Sequence, residues 1–144
     1  MAAINTGKVV VGGLAAGFVM NVIDFGANML LLQNAMKADL DRVNPALWMA
    51  VNNTSTMIGY IMMDFILAIL VVWLYAAIRP RFGPGPGTAV KAALFAWVFG
   101  GVIWYSLVLM GLFSQTNYFM SAAVSLVNTA VGALVGAKLY SEAE

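Results

Sequence analysis

Residues 9–32 form a predominantly apolar run of about 24 residues without lysine, arginine or proline. A membrane-crossing helix takes about 20 such residues. Three further runs of comparable length follow at 57–78, 89–113 and 118–140. Backbone groups in lipid must be bonded internally, so four runs of this kind predict four helices rather than strands. Hydrophobic residues make up 62% of the chain and charged residues 9%, against about 25% charged in soluble domains. A soluble fold of 144 residues has no interior large enough for so much apolar surface.

The N-terminal run is too long for the core of a signal peptide, which takes about 7–15 residues, and it lacks a clean small-x-small cleavage site. It is read as a membrane span. The joints carry their own signals. In "RPRFGPGPGT", residues 79–88, Pro80 is expected to stop the second helix and Thr88 to cap the third. The tetrapeptide "SQTN" at 114–117 is short enough to make the third and fourth spans antiparallel neighbours. The first joint, 33–56, is longer and contains "NPALWMAV". Asn44 is placed to cap and Pro45 to open a short helix, either lying at the membrane interface beside Trp48 or extending the second span.

Lys8, Arg79, Arg81, Lys91 and Lys138 fall at one end of the predicted bundle, and Lys37 and Arg42 at the other. The lysine and arginine bias places both termini and the Pro-Gly loop in the cytoplasm. The expected architecture is all-α: a polytopic membrane protein, one membrane domain over 1–144, with four transmembrane helices in an up-down bundle. The first loop (33–56) is outside, with a short interfacial helix, and the loop 79–88 is cytoplasmic. The expected location is the bacterial inner (plasma) membrane. "WLYAAIRP" at the end of the second span is echoed by "AKLYSEAE" at the end of the fourth, either as a trace of duplication or as ordinary interface composition.

The chain has no cysteine and no histidine. Disulfide, thiolate and iron–sulfur chemistry and histidine-based acid–base catalysis are therefore excluded. No basic run is long enough to track phosphates, so nucleic acid is not an expected partner. The ten methionines read as flexible filler between helices. No cofactor and no metal site is expected. Trp97 and Trp104, seven residues apart, share a helix face, either for packing or as an aromatic wall for a pigment.

The polar residues inside the spans are ordered. Gly13, Gly17, Asn21, Asp24 and Asn28 recur at spacings of 4, 4, 3 and 4, within an arc of about 80° on a helix. Gly136, Gly132, Asn128, Ser125 and Ser121 repeat the same spacing in the opposite direction. Antiparallel packing sets glycine level with glycine and Asn21 level with Asn128, so the first and fourth spans are expected to meet along these stripes. The second span offers Asn53, Thr56, Tyr60 and Asp64 on one face. Counted at 1.5 Å per residue, Asp24 lies about 12 Å below the outer boundary, and Asp64, Ser106 and Ser125 about 10–11 Å. These groups form an expected intramembrane layer.

The only lysines within the spans, Lys91 and Lys138, lie within three residues of a span end at the cytoplasmic side, and no lysine or arginine lies near the level of the aspartates. An ionised aspartate at a helix centre costs about 2.5–3.5 kcal/mol on the most lenient scale. Two facing carboxylates are resolved by protonation, by sharing one proton, or by a cation held together with asparagine carbonyls. The aspartates are either a proton or cation site or hydrogen-bonding glue between helices.

Four spans with "RPRFGPGP" between the second and third resemble uncharacterised small bacterial four-helix integral membrane proteins. The resemblance covers most of the chain in layout and implies no activity. In size and in its buried acid the chain is also similar to small multidrug transporters, in which a membrane-embedded glutamate exchanges protons for cations. It departs from them in the position of Asp24 past the helix middle, in its second acid and in its greater length. Two non-enzymatic functions follow: a proton- or cation-coupled carrier or channel, or an accessory subunit of a larger membrane complex. Besides the bilayer, the expected partner is a second copy of the chain or a larger host.

Overall fold

The computed structural model describes residues 3–142, and every regular element among them is helical. The order is α1 (Thr6–Ala27), a π-turn (Asn28–Leu32), α2 (Gln33–Val43), α3 (Ala46–Val51), α4 (Thr54–Phe82), α5 (Pro86–Leu109) and α6 (Gln115–Leu139). Four helices are long and apolar enough to cross a membrane: Thr6–Val43, Thr54–Phe82, Pro86–Leu109 and Gln115–Leu139.

Three of the four long helices are capped at their start by a side chain. Asn5 accepts a hydrogen bond from the Lys8 N–H at 3.1 Å, Asn53 from Thr56 at 3.0 Å and Ser114 from Asn117 at 3.2 Å. These acceptors satisfy N–H groups that the first helical turn leaves orphaned. Pro86, not Thr88, opens α5, after Gly85; proline at this position loses no helical hydrogen bond.

Two joints differ from the expectation. Residues 33–43 are helical rather than loop. The sequence Gln33–Val43 contains neither glycine nor proline, and Lys37 pairs with Asp41 one turn on. The helix therefore runs through its change from apolar to polar and stops only before Pro45. Pro80 does not stop α4, which continues to Phe82. It ends at Gly83, whose φ of 82° lies in the left-handed region that glycine adopts without strain. Thr88 caps backwards: its hydroxyl donates to the Gly83 carbonyl at 2.7 Å and reaches the Phe82 carbonyl at 3.3 Å. The short helix after Asn44 is present as α3, with the Asn44 side chain accepting from Ala46 N–H at 2.9 Å.

The helices pack antiparallel. A Cβ added to Gly13 would lie 2.7 Å from Ile69 Cα, and one on Gly17 would lie 3.0 Å from Phe65 Cα. Asn21 donates to the Ile61 carbonyl at 3.3 Å. The residue number rises by four on α1 as it falls by four on α4, which is the register of an antiparallel pair. α5 and α6 are held likewise: Trp97 Nε1 donates to the Ala122 carbonyl at 2.9 Å and Tyr118 OH to the Gly101 carbonyl at 3.1 Å. Trp97 is thus a packing residue, and Trp104 lies against Tyr118 and Phe113.

The tightest packing is at the end that carries both termini. Val9, Ala16 and Met20 meet Ala68, Val71, Val72, Tyr75 and Ala76 of α4, with Ala89, Ala92 and Ala93 of α5 and Ala133 of α6. Alanine dominates because small side chains let helix backbones approach. The two echoed tyrosines meet here, Tyr75 and Tyr140 edge to face with ring centroids 5.9 Å apart. Tyr140 OH accepts from Asn5 N–H, Tyr75 OH accepts from Gly85 N–H, and Arg79 lies over Tyr140.

Candidate functional site

α1 uses two adjacent faces. Gly13 and Gly17 form the first and meet Ile69 and Phe65 of α4, not α6. Gly12, Ala16 and Met20 form the second and meet α6. A Cβ on Gly12 would lie 2.8 Å from the Gly136 carbonyl oxygen, and one on Gly132 would lie 2.6 Å from Met20 Sδ. The glycines of α6 therefore pack on α1 as the spacing predicts. Their counterparts are one residue earlier than Gly13 and Gly17, about 100° around the helix. Gly136 also seats Val72 of α4.

Past this glycine contact the polar groups begin. Asn21 donates to Gly17 O on its own helix at 2.9 Å and to Ile61 O on α4 at 3.3 Å, so it ties two spans through backbone carbonyls. The Asp24 carboxyl lies beside the Asp64 carboxyl and near the Asn128 side chain. Cα–Cβ bonds tilt toward the helix N-terminus. In antiparallel α1 and α4 these tilts oppose each other, so Asp24 and Asp64 reach toward each other. Both aspartates are half-buried, whereas Asn128 is 2% exposed. Asp64 also lines a shallow groove on the flank of the bundle with Met63, Ile66, Leu67 and Leu70.

Asn128 is the anomaly of this cluster. Its Oδ1 is buried and accepts no hydrogen bond. A buried polar atom left without a partner costs about 1–3 kcal/mol.

The other residues of the expected layer stand apart from the acid pair. Ser125 Oγ donates to Ala122 O at 3.0 Å and Ser106 Oγ to Ile103 O at 2.6 Å, each within its own helix. Ser106 and Asn28 are exposed. Ser121 is buried but turns to Asn117, at 3.3 Å. The cluster thus consists of Asp24, Asp64 and Asn128, with Asn21 beside it. Among the described residues no group of three or more acidic, histidine or cysteine side chains is placed to hold a metal ion.

A second polar assembly, not anticipated from the sequence, closes the opposite end of the bundle. Asp39 of α2 is buried and accepts from Ser114 N–H at 2.8 Å, Ser114 Oγ at 2.9 Å and Asn117 Nδ2 at 3.0 Å. Arg42 donates to the Gly111 carbonyl at 3.1 Å. The apolar part of the helix Thr6–Val43 ends near Leu32, so Asp39 lies in its polar extension, beyond the membrane-crossing part. Burial alone would raise its carboxyl. The bonds from Ser114 and Asn117, with Arg42 nearby, outweigh burial and hold the carboxyl below its usual range. The only hint in the sequence is an acid on a charged helical segment facing a Ser-Gln-Thr-Asn turn.

No family model, no curated protein and no solved structure matches this chain.

Proposed function

We propose that this protein is a small multi-pass membrane carrier or channel, coupled to protons or cations, whose working groups are Asp24 and Asp64 with Asn128 beside them. The observation that carries the reading is the meeting of two carboxyls and a buried amide between membrane-crossing helices, at a level where the chain has no lysine or arginine. Intramembrane carboxylates are expensive, and they persist where they handle protons or ions. Asp64 also borders an apolar groove on the flank of the bundle. The reading is non-enzymatic. Both termini and the loop 79–88 lie in the cytoplasm of a bacterial inner membrane, following the lysine and arginine bias. A bundle of four helices encloses little by itself, so the working unit is a homo-oligomer.

The test is reconstitution in proteoliposomes, with internal pH and 22Na+ followed under imposed gradients. The expected result is a flux abolished by Asp24→Asn and by Asp64→Asn. A wild-type flux unchanged in both variants overturns the mechanism.

A second reading is favoured by the flank of α5, where Phe95 and Phe99 stack in parallel and both are more than 60% exposed. A rigid aromatic face of this kind suits packing against another membrane chain, which would make the protein an accessory subunit of a larger complex. Gentle extraction and native mass separate the two. Copies of this chain alone support the carrier, and stoichiometric large partners support the subunit.

A further inference from the structure

We infer that Asp24, Asp64 and Asn128 form a binding site for one small monovalent cation, sodium being the fitting probe, taken up in exchange for one proton. The inference rests on the carrier reading above and specifies its ion.

Three observations lead to it. The acids supply hard oxygen donors, the kind that alkali and alkaline-earth ions prefer. Asn128 is almost wholly buried and reaches the same spot, yet its Oδ1 has no partner. Its side chain lies beside Asp24, where a rotation about its terminal bonds can turn that oxygen toward the carboxyl. Each of the other nearby polar groups is already committed. Asn21 donates to two backbone carbonyls and Ser125 to Ala122 O, and the side-chain acceptor here that is buried without a partner is Asn128 Oδ1.

Charge decides the class of ion. α1 packs against α4 and α6. α4 presents Asp64 to Asp24, α6 presents the uncharged Asn128, and no lysine or arginine from α4, α5 or α6 bears on either acid. A desolvated site favours zero net charge, since uncompensated buried charge is costly. Two protons satisfy that condition, as does one proton with one monovalent cation. Passing from the first state to the second binds one cation and releases one proton from a carboxyl, with no change in net charge. A divalent ion would neutralise both acids, but it requires about six to eight oxygens if calcium, and retained waters if magnesium. Three side chains against an apolar wall supply too few.

The experiment uses the full chain in nanodiscs, with 22Na+ binding measured by scintillation proximity and melting followed by tryptophan fluorescence. The expected result at pH 8 is saturable binding of about one Na+ per chain, weakening about tenfold per pH unit once the proton competes. Sodium chloride raises the melting temperature relative to choline chloride. Asn128→Leu, which keeps volume and removes the oxygen, weakens binding at least about tenfold, while Asn128→Asp, which keeps an oxygen, retains it. The melting curves in choline show whether each variant is folded. Sodium affinity unchanged in Asn128→Leu, or calcium displacing sodium at lower concentration, overturns the inference. Absence of sodium binding also overturns it. If such vesicles still carry a proton flux that needs Asp24, the carrier reading survives; if they carry none, both fall.

Discussion

Asp39 and Asn117, 78 positions apart, are joined by a 3.0 Å hydrogen bond in which Asn117 donates to the carboxylate. With the two bonds from Ser114, it fastens the polar extension of the first helix to the turn between α5 and α6.

Asp39→Ala leaves the Ser114 N–H and the Asn117 amide without their acceptor. A cost of about 3 kcal/mol is expected, from one buried and one part-buried donor at about 1–3 kcal/mol each with partial rescue by water. Amide hydrogen exchange should rise in residues 33–43 and 111–118 and stay unchanged at the end that carries the termini. The same contact depends on acid. The folded carboxyl is held below its unfolded value of about 3.9, so its contribution is complete above that pH. It is lost as pH falls through the lower, folded value. Protection factors in these segments, corrected for the intrinsic pH dependence of exchange, should therefore match between pH 5 and pH 7 and fall only in stronger acid.

The glycines of α1 sort by what faces them. Gly12→Ala and Gly13→Ala each drive a methyl against a neighbouring helix, at the Gly136 carbonyl and at Ile69. Each should cost about 1–3 kcal/mol. Gly26→Ala, Gly59→Ala and Gly100→Ala meet nothing within 4 Å and should melt no lower than wild type. Thermal unfolding in one detergent ranks all five.

Asn21→Leu removes the bond that joins α1 to the Ile61 carbonyl. Interhelical bonds in membranes average about 0.6 kcal/mol, so a small loss is expected. The informative readout is a double-mutant cycle with Gly17→Ala, which touches the same pair of helices. Coupling well above that figure would show that Asn21 and Gly17 set the spacing of α1 and α4 jointly.

Asp24→Asn separates function from folding. An amide at residue 24 keeps the hydrogen bonding with Asn128 and ends the confrontation with Asp64. Melting should stay equal to wild type or rise, while flux through reconstituted vesicles disappears. A variant that loses both would mark Asp24 as structural glue.

The spans were legible because a bilayer requires about 20 apolar residues in one stretch, and four such stretches are plain in the sequence. The convergence of Asp24, Asp64 and Asn128 was legible in part, from spacing and depth. Depth also nominated Ser106, which turned out exposed and bonded to Ile103. Level along a helix says nothing about direction around it. The choice between Gly12 and Gly13 as the face toward α6 was hidden for the same reason. Both stripes are small, and only the packing of three helices together decides which partner each one takes. The helical extension through Val43 is not legible from hydropathy, because the end of the apolar run is not the end of the helix. Hydropathy reports the medium, whereas only Pro45 interrupts the backbone.

The π-turn has a consequence for how the first helix is assembled. Gln33 N–H bonds to the Asn28 carbonyl, five residues back, where an α-helix reaches back four. The turn holds one surplus residue, which shifts the phase of everything beyond it by about 100°. Upstream of it Asp24 is aimed at Asp64, and downstream Asp39 is aimed at Ser114. A uniform α-helix would tie those two directions rigidly to each other. The surplus residue lets the two halves be indexed independently. Deleting one residue from 29–32 should restore a regular helix and leave both the Asp24 and the Asp39 contacts in register, whereas deleting two should turn the downstream part by about 100° and swing Asp39 off its socket, reproducing the exchange pattern of Asp39→Ala with every side chain of the clamp intact.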